Sequence, residues 1–386
     1  MTQKKQSVDI IKKEIDLKVL LETSDHDLVQ VFKDSGYSRE ELRAMKRKGK
    51  TPSVAHQLKS DRELLKTKAH ASGLEGKYKE ALKAIDETSK KLESVLALKD
   101  TVSVHKISSP KGGGKTEATA VWVASDWHTD EFIDGETINN LNHFTPEIAQ
   151  KRVNNFFTAS LRLTQMSGQD VKIDTIVLAL LGDFFTGHIH PDFMELTDTE
   201  PIHAVIRVQN MIASGIQYIL DNSDYKLVIP CHSGNHARTT EKTRFATENG
   251  HSLEFYMYHF LADHFKGEKR VQFIIPTGYH SYMDIYGVKI RFHHGHSLKY
   301  GGGIGGLYIP VNKALAQWNK AFKADLDVFG HFHQLRDGGN FICNGSLIGY
   351  SSFALSIKAD YEKPRQALFL INSKYGVNCV WKVDVE

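Results

Sequence analysis

Cysteine is scarce in this 386-residue chain: Cys231, Cys343 and Cys379 stand alone, with no CxxC pair. That excludes a disulfide framework and a cysteine-built zinc site, and it fits a reducing compartment, the cytoplasm. Long apolar runs are missing too. Nothing approaches the roughly 20 apolar residues that a bilayer-spanning helix needs, so no membrane association is expected. Met1 to Lys13 is polar and lysine-rich without the apolar core of a secretory signal. A nucleotide-phosphate loop is also absent. Gly112 to Thr116 lacks the G-x-x-x-x-G-K-[ST] spacing, and no strand precedes it.

What is present is ordinary in bulk: 41% hydrophobic and 25% charged residues, the mixture of a globular protein. The length allows a catalytic domain with its own core and one smaller module. The net charge of +3 hides an asymmetry. Residues 1–120 carry 25 Lys+Arg against 18 Asp+Glu, and residues 121–386 carry 24 against 28. A basic N-terminal module can serve nucleic acid or can simply be a solvated helical face.

Residues 1–107 read as helices. Leu28, Val29, Val31 and Phe32 form a short apolar-periodic run closed by Ser35-Gly36. Ser38 and Glu41 then have the spacing of a capping box. Helix, glycine turn and helix resemble a helix-turn-helix, followed by Arg43, Lys46, Arg47, Lys48 and Lys50. Between Tyr78 and Leu96, Tyr78, Leu82, Ile85, Leu92, Val95 and Leu96 keep near-heptad spacing. That implies either a connecting helix or homo-oligomerisation through the N-terminal helices. Residues 108–117, with Ser108-Ser109-Pro110 and the triple glycine, form a linker by composition. Residues 118–386 are the expected catalytic domain.

There the pattern becomes strand and helix in alternation, an α/β layered fold. Strands are expected over 118–125, 175–181, 226–231, 288–292 and 326–329, with amphipathic helices over 146–164 and 204–220. Each of the five strands ends in a polar cluster that no core needs. These are Asp126-Trp127-His128, Gly182-Asp183, Gly234-Asn235-His236, His294-Gly295-His296 and Gly330-His331-Phe332-His333. Loops at the carboxyl ends of strands converge on one crevice. A single Asp-x-His is ordinarily a satisfied polar pair, whereas five ligand-bearing clusters at five strand ends point to a metal centre. Carboxylate, amide and imidazole without thiolate suit manganese foremost, and also Fe, Zn, Ni or Mg. Asp126, His128, Asp183, Asn235, His294, His331 and His333 are too many ligands for one ion with an open position, but two divalent ions sharing a carboxylate use them all. Such a pair polarises a phosphate and lowers the pKa of water, which is the chemistry of phosphoester hydrolysis.

The order D-x-H, G-D, G-N-H, H-G-H, G-H-x-H over residues 118–350 resembles the calcineurin-like metallophosphoesterases. The resemblance implies a two-sheet β-sandwich flanked by helices, with an N-terminal all-α extension in this chain. It places Asp126, His128, Asp183 and His333 on one metal and Asp183, Asn235, His294 and His331 on the other, Asp183 bridging. It gives His236 the role of proton donor to the leaving oxygen. V-A-S-D-W-H (123–128), the block 292–307, V-F-G-H-F-H (328–333) and N-G-S-L-I-G-Y (344–350) are similar to bacteriophage and prophage metallophosphoesterases. Two departures stand out. An acidic residue commonly follows G-N-H in the family, but here Ala237-Arg238 follows, so Arg238 is a candidate phosphate ligand. The G-D-x-x-D-R-G run of protein phosphatases is absent.

His293 is expected to face away from the ligands. His296 is expected either to touch substrate or to lie at the surface, His188, His190 and His232 to face solvent or lie beside the ligands, and the glycine-rich loop 301–306 near an anionic ligand or as a plain turn. The functional expectation is a binuclear phosphodiesterase or nuclease acting on nucleic acid. The alternatives are a phosphatase or phosphodiesterase of small nucleotides or phosphoproteins, and a nucleic-acid-binding or assembly protein with a structural metal site.

Overall fold

A computed structural model of the protein describes residues 15–49, 83, 103–108, 117–300, 306–356 and 358–386. The chain divides into two units, Met1–Glu87 and Thr88–Glu386.

The larger unit contains twelve strands among the described residues: β1 Val104–Ile107, β2 Glu117–Ala124, β3 Lys172–Leu180, β4 Lys226–Pro230, β5 Val271–Ile274, β6 Ser281–Ile285, β7 Val288–Phe292, β8 Leu326–Phe329, β9 Arg336–Asp337, β10 Phe341–Cys343, β11 Arg365–Asn372 and β12 Gly376–Asp384. They form two mixed six-stranded sheets, ordered β12-β11-β2-β3-β4-β5 and β1-β6-β7-β8-β10-β9. Helices flank them, so the architecture is the expected α/β sandwich. The ligand-bearing strands are parallel neighbours, β2-β3-β4 in one sheet and β7-β8 in the other.

Side chains on a strand alternate between faces, and each central strand fills two cores. From β2 and β3, Val121, Val123, Val177 and Ala179 meet Ile290, Phe292 and Val328 of the opposite sheet. Their neighbours Trp122, Ile176 and Leu178 pack instead with Phe156, Phe157, Ile212 and Ile216. These last four belong to the helices Pro146–Ser167 and Pro201–Asn222. Thr145 caps the first helix by accepting from Ile148 N, with Pro146 at its start. Trp122 Nε1 donates to Thr164 Oγ1 at 2.9 Å, so the one polar atom of this buried indole is satisfied. On the outer face of the second sheet, Val311 and Leu315 of the helix Tyr308–Trp318 pack with Phe329 and Phe341.

One boundary needs correction. Val104–Ile107 falls inside the segment expected to be helical, yet it is an edge strand paired in parallel with β6. Four residues carry too little periodicity to distinguish strand from helix, and pairing with β6 decides. Most of the linker 108–117 lies outside the described residues, and Glu117 already opens β2.

In the smaller unit, Leu20, Leu28 and Leu42 form a core, with Phe32, Tyr37 and Met45 against it. The helix Arg39–Gly49 begins as a capping box. Ser38 N donates to Glu41 Oε2 at 2.8 Å, and Glu41 N to Ser38 Oγ at 3.3 Å. Arg43 and Lys46 lie 3.4 and 3.3 Å from Asp25. Lys50 and the heptad segment 78–96, apart from Lys83, lie outside the described residues. No helix among the described residues is long and apolar enough to cross a membrane. The three cysteines are free, two of them buried.

Beneath the second sheet lies a buried ion pair. Arg291 Nε and Nη2 donate to Asp327 at 2.6 and 3.0 Å, with both side chains at 0–1% exposure. Removing one partner of a buried pair strands the other charge, whereas replacing both with apolar residues is close to neutral. Asp327→Ala is therefore expected to cost about 3–5 kcal/mol in urea unfolding. The double replacement Arg291→Met with Asp327→Leu should recover most of that loss; equal destabilisation by both variants would contradict it.

Candidate metal centre

The five clusters converge where the two sheets meet. Asp126 and His128 follow β2, Asp183 follows β3 and Asn235 follows β4. His294 follows β7 from the other sheet, and His331 and His333 follow β8. The loops are tied together across the sheets. His331 N donates to both oxygens of Asp126, at 2.9 and 3.0 Å. His294 Nδ1 donates to Leu181 O at 2.6 Å. Asp183 Oδ1 accepts from His236 N at 2.8 Å within its own sheet.

The local backbone is under strain. Asp126, His128, Asp183, His331 and His333 all have left-handed backbone, φ between 49° and 73°. Non-glycine residues rarely adopt that region, and each costs of order 1 kcal/mol or more. Half of the ten such residues in the described chain are candidate ligands. The glycines of the motifs have a related cause. A methyl group at Gly234 would overlap Asp183 Oδ1, and one at Gly330 would overlap Asp126 Oδ2. A methyl at Gly182 (φ +85°) would strike the backbone of Gly234. These glycines let the carboxylates approach neighbouring chain closely.

Three groups of side chains offer ligand atoms within 4.8 Å of one another: Asp126, His128 and His333; His128, Asp183 and His236; Asp183, His294 and His331. Asp183 is shared by the last two. His128 Nε2, Asn235 Oδ1, His294 Nε2 and His333 Nδ1 are buried without a hydrogen-bond partner. Buried polar atoms are nearly always satisfied, so four orphan donor atoms in one cluster fit a metal ion. His294 Nε2 lies 2.9 Å from Asp183 Oδ2, but misaligned for a hydrogen bond.

Electrostatics prepares the same set. Burial pushes His331 and His333 down to about 3, and burial with the neighbouring His236 and His333 pushes His128 well down. All three are thus neutral imidazoles, the form a metal binds. Burial also raises Asp126 to about 7, with Asp183 adding to it. Asp183 goes the other way: burial opposes its charge, but His294 and His236 hold it well below the usual carboxylate range. Burial likewise disfavours a charged His294, yet Asp183 and Asp126 lift it to about 10.

Thr186 organises the proton side of the site. Its Oγ1 lies 2.8 Å from His128 Nδ1 and donates to Glu131 Oε2 at 2.8 Å. Its carbonyl accepts from His236 Nδ1 at 2.9 Å, leaving Nε2 of His236 to exchange a proton. A backbone carbonyl thus orients the histidine where an acidic side chain is missing from the motif. Asp130 holds Thr186 in turn, accepting from Thr186 N at 2.6 Å and Gly187 N at 3.2 Å. Glu254 ties two ligand loops, accepting from Phe184 N and Gly234 N at 2.8 and 2.7 Å. None of these four was singled out from sequence. Asp130, Glu131 and Glu254 stand outside the motif blocks, and Thr186 carries no metal-ligand signal.

Arg238 is placed near the centre, and three of its five N–H donors bind the chain. It donates to the carbonyls of Asn235 (2.6 Å), Thr240 (3.1 Å) and Glu241 (3.3 Å). His293 faces away as expected, buried and stacked on Phe329, 3.4 Å from Asp327. His232 is not at the surface: it is buried and bonded to Ser281 Oγ at 2.8 Å. His296 is also enclosed, its side chain 3% exposed and 3.3 Å from Glu248. His188 pairs with Thr197 at 3.0 Å, and His190 is exposed. Loop residues 301–305 lie outside the described residues.

No family model matches the chain, and no curated protein sequence matches it. Among solved structures it is similar to a hypothetical protein of Pyrococcus horikoshii (11% identity, TM-score 0.33, covering 69% of this chain and 89% of that one). Two further similar structures are Vps29 of Chaetomium thermophilum (12%, 0.23, 68% and 94%) and a phosphopantetheinyl hydrolase of Mycobacterium tuberculosis (11%, 0.23, 59% and 90%).

Two predictions follow from this geometry. Gly234→Ala displaces Asp183 and should weaken metal affinity about 10–100-fold, the scale of a disturbed ligand shell. Gly267, with open space around it, is the control, and Gly267→Ala should bind metal as the parent does. Second, loading the metal-free protein must displace the proton that His294 holds up to about 10. Affinity for Mn²⁺ should therefore rise with pH, by about tenfold per unit for one proton released. Calorimetry in two buffers of different ionisation enthalpy reads that proton directly, and no buffer dependence would refute the assignment.

Proposed function

We propose that this protein is a binuclear metal-dependent phosphoesterase of the calcineurin-like kind, a phosphodiesterase or nuclease acting on nucleic acid. The observation that carries the reading is Asp183, shared between groups of candidate ligands, with His236 oriented beside them. Asp126, His128, Asp183 and His333 would hold one ion, and Asp183, Asn235, His294 and His331 the other. Two divalent ions there, manganese foremost, would supply Lewis-acid polarisation of a phosphate and activation of water.

The chain's own residues supply the rest. Asp126 and Asp183 provide the negative charge that retains divalent ions. His236, its Nδ1 bonded to Thr186 O, presents Nε2 to the leaving oxygen and donates a proton there. Arg238 secures the loop that carries Asn235 and His236, which makes it a positioning residue in this reading. Nucleic acid as substrate draws support from the similarity of the motif blocks to phage and prophage enzymes and from the basic N-terminal unit. One observation favours small nucleotides instead: Arg43 and Lys46, two of the basic residues following the hairpin, are engaged by Asp25.

The test is His236→Ala with Mn²⁺, on bis-p-nitrophenyl phosphate, p-nitrophenyl phosphate, DNA and cyclic nucleotides side by side. Metal content should be retained, and turnover on natural esters should fall about 10²–10⁴-fold, the range of general acid catalysis. The loss should shrink for p-nitrophenyl esters, whose leaving group needs no proton. Equal losses on both would remove His236 from the acid role, and no hydrolysis by the parent protein would end the phosphoesterase reading.

A further inference from the structure

Three phenylalanines from three separate segments lie against histidines at or beside the centre. The Phe193 ring is 5.2 Å from His236, and the Phe353 ring is 5.5 Å from His333. Phe245 stacks on His296 at 5.4 Å and 17°. His296 in turn lies 5.5 Å from His294 and 6.4 Å from His331. Phe193 sits in the helix Pro191–Leu196, Phe245 in the loop that follows Asn235 and His236, and Phe353 in the helix Ser352–Ser356.

These rings are not core. Phe245 is 50% exposed and Phe353 41%. A single exposed phenylalanine needs no explanation. Here two of the four large exposed phenylalanines in the described chain, which also include Phe132 and Phe260, lie against His333 and against His296 beside the site. A phenyl ring gives nothing to a phosphate, which wants N–H donors and cations. It matches what stands beside a phosphate in a nucleotide chain, the flat face of a base. Three rings on three segments offer three stacking faces, whereas a mononucleotide carries one base, and the bases of a duplex are already stacked on one another. The Phe245 loop also carries exposed Lys242 and Arg244 for flanking phosphates. Its base is pinned by Arg238, by Thr239 N donating to His251 O at 2.8 Å and by Leu253 N donating to Ala237 O at 2.9 Å.

The geometry points to a base-stacking rim: Phe193, Phe245 and Phe353 bind unpaired bases on either side of the scissile phosphate, and the substrate is single-stranded nucleic acid. This assignment rests on the phosphodiesterase reading above. Stacking of a base on an aromatic side chain is sequence-tolerant, so the preference is for strandedness and not for sequence.

The test compares full-length protein loaded with Mn²⁺ on oligothymidylate, oligouridylate, an abasic oligomer of equal length and charge, and a duplex. The parent should show a KM about 5- to 150-fold lower on oligothymidylate than on the abasic oligomer, the worth of one stacked base. Phe245→Ala and the volume-keeping Phe245→Leu should each shrink that ratio several-fold, with metal content checked alongside, and Phe353→Leu should do the same. Equal cleavage of abasic and base-bearing oligomers, or a ratio untouched by Phe245→Leu, would overturn the rim. So would a phosphopeptide that competes better than oligothymidylate. If the parent cleaves neither these oligomers nor bis-p-nitrophenyl phosphate, the hydrolase reading falls by itself. The rim is then judged by fluorescence anisotropy of the same oligomers, where equal Kd values for abasic and base-bearing strands would refute it. Oligouridylate against oligothymidylate separates RNA from DNA.

Discussion

Asp126 and Asp183 are 0% and 1% exposed, at the seam of two sheets. A carboxylate in that position is tolerated only with N–H donors and positive charge around it. Their surroundings follow from that demand. Asp126 takes the His331 amide from the opposite sheet, Asp183 takes the His236 amide, and His294 stands 2.9 Å from Asp183 with its own charge upheld by it. For backbone amides to reach these oxygens, the chain must turn sharply directly after each strand. Left-handed φ values at five candidate ligands, and glycines where a methyl group would overlap a carboxylate, are the steric expression of the same requirement.

Much of this was legible in the sequence because the first ligand clusters follow strands whose apolar runs are plain. Val121 to Ala124 and Ile176 to Leu181 announce where chain direction and burial end, and the polar cluster after each announces the site. The β1 strand was not legible, since Val104–Ile107 is too short to show a period and owes its form to β6. The supporting residues were hidden for another reason. Thr186 acts through its carbonyl and a hydroxyl shared with Glu131, and no spacing rule signals a backbone oxygen. Arg238 shows a related limit: its charge beside the G-N-H motif is plain in the sequence, whereas the three carbonyls it binds depend on a loop path that sequence does not reveal. The burial of His232 likewise follows from its hydroxyl partner Ser281, 49 residues away in the chain.

The candidate ligands come from both sheets, and this ties ion occupancy to the cohesion of the sandwich. Only the folded arrangement brings the loops after β2, β3 and β4 beside those after β7 and β8, so an ion held there binds the native state and not the separated halves. By mass action that is worth about 2.7 kcal/mol at a free ion concentration a hundred times Kd. With an ion bound there, a chelator would act on this molecule as a mild denaturant, and the melting temperature would become a function of free metal in the surrounding medium.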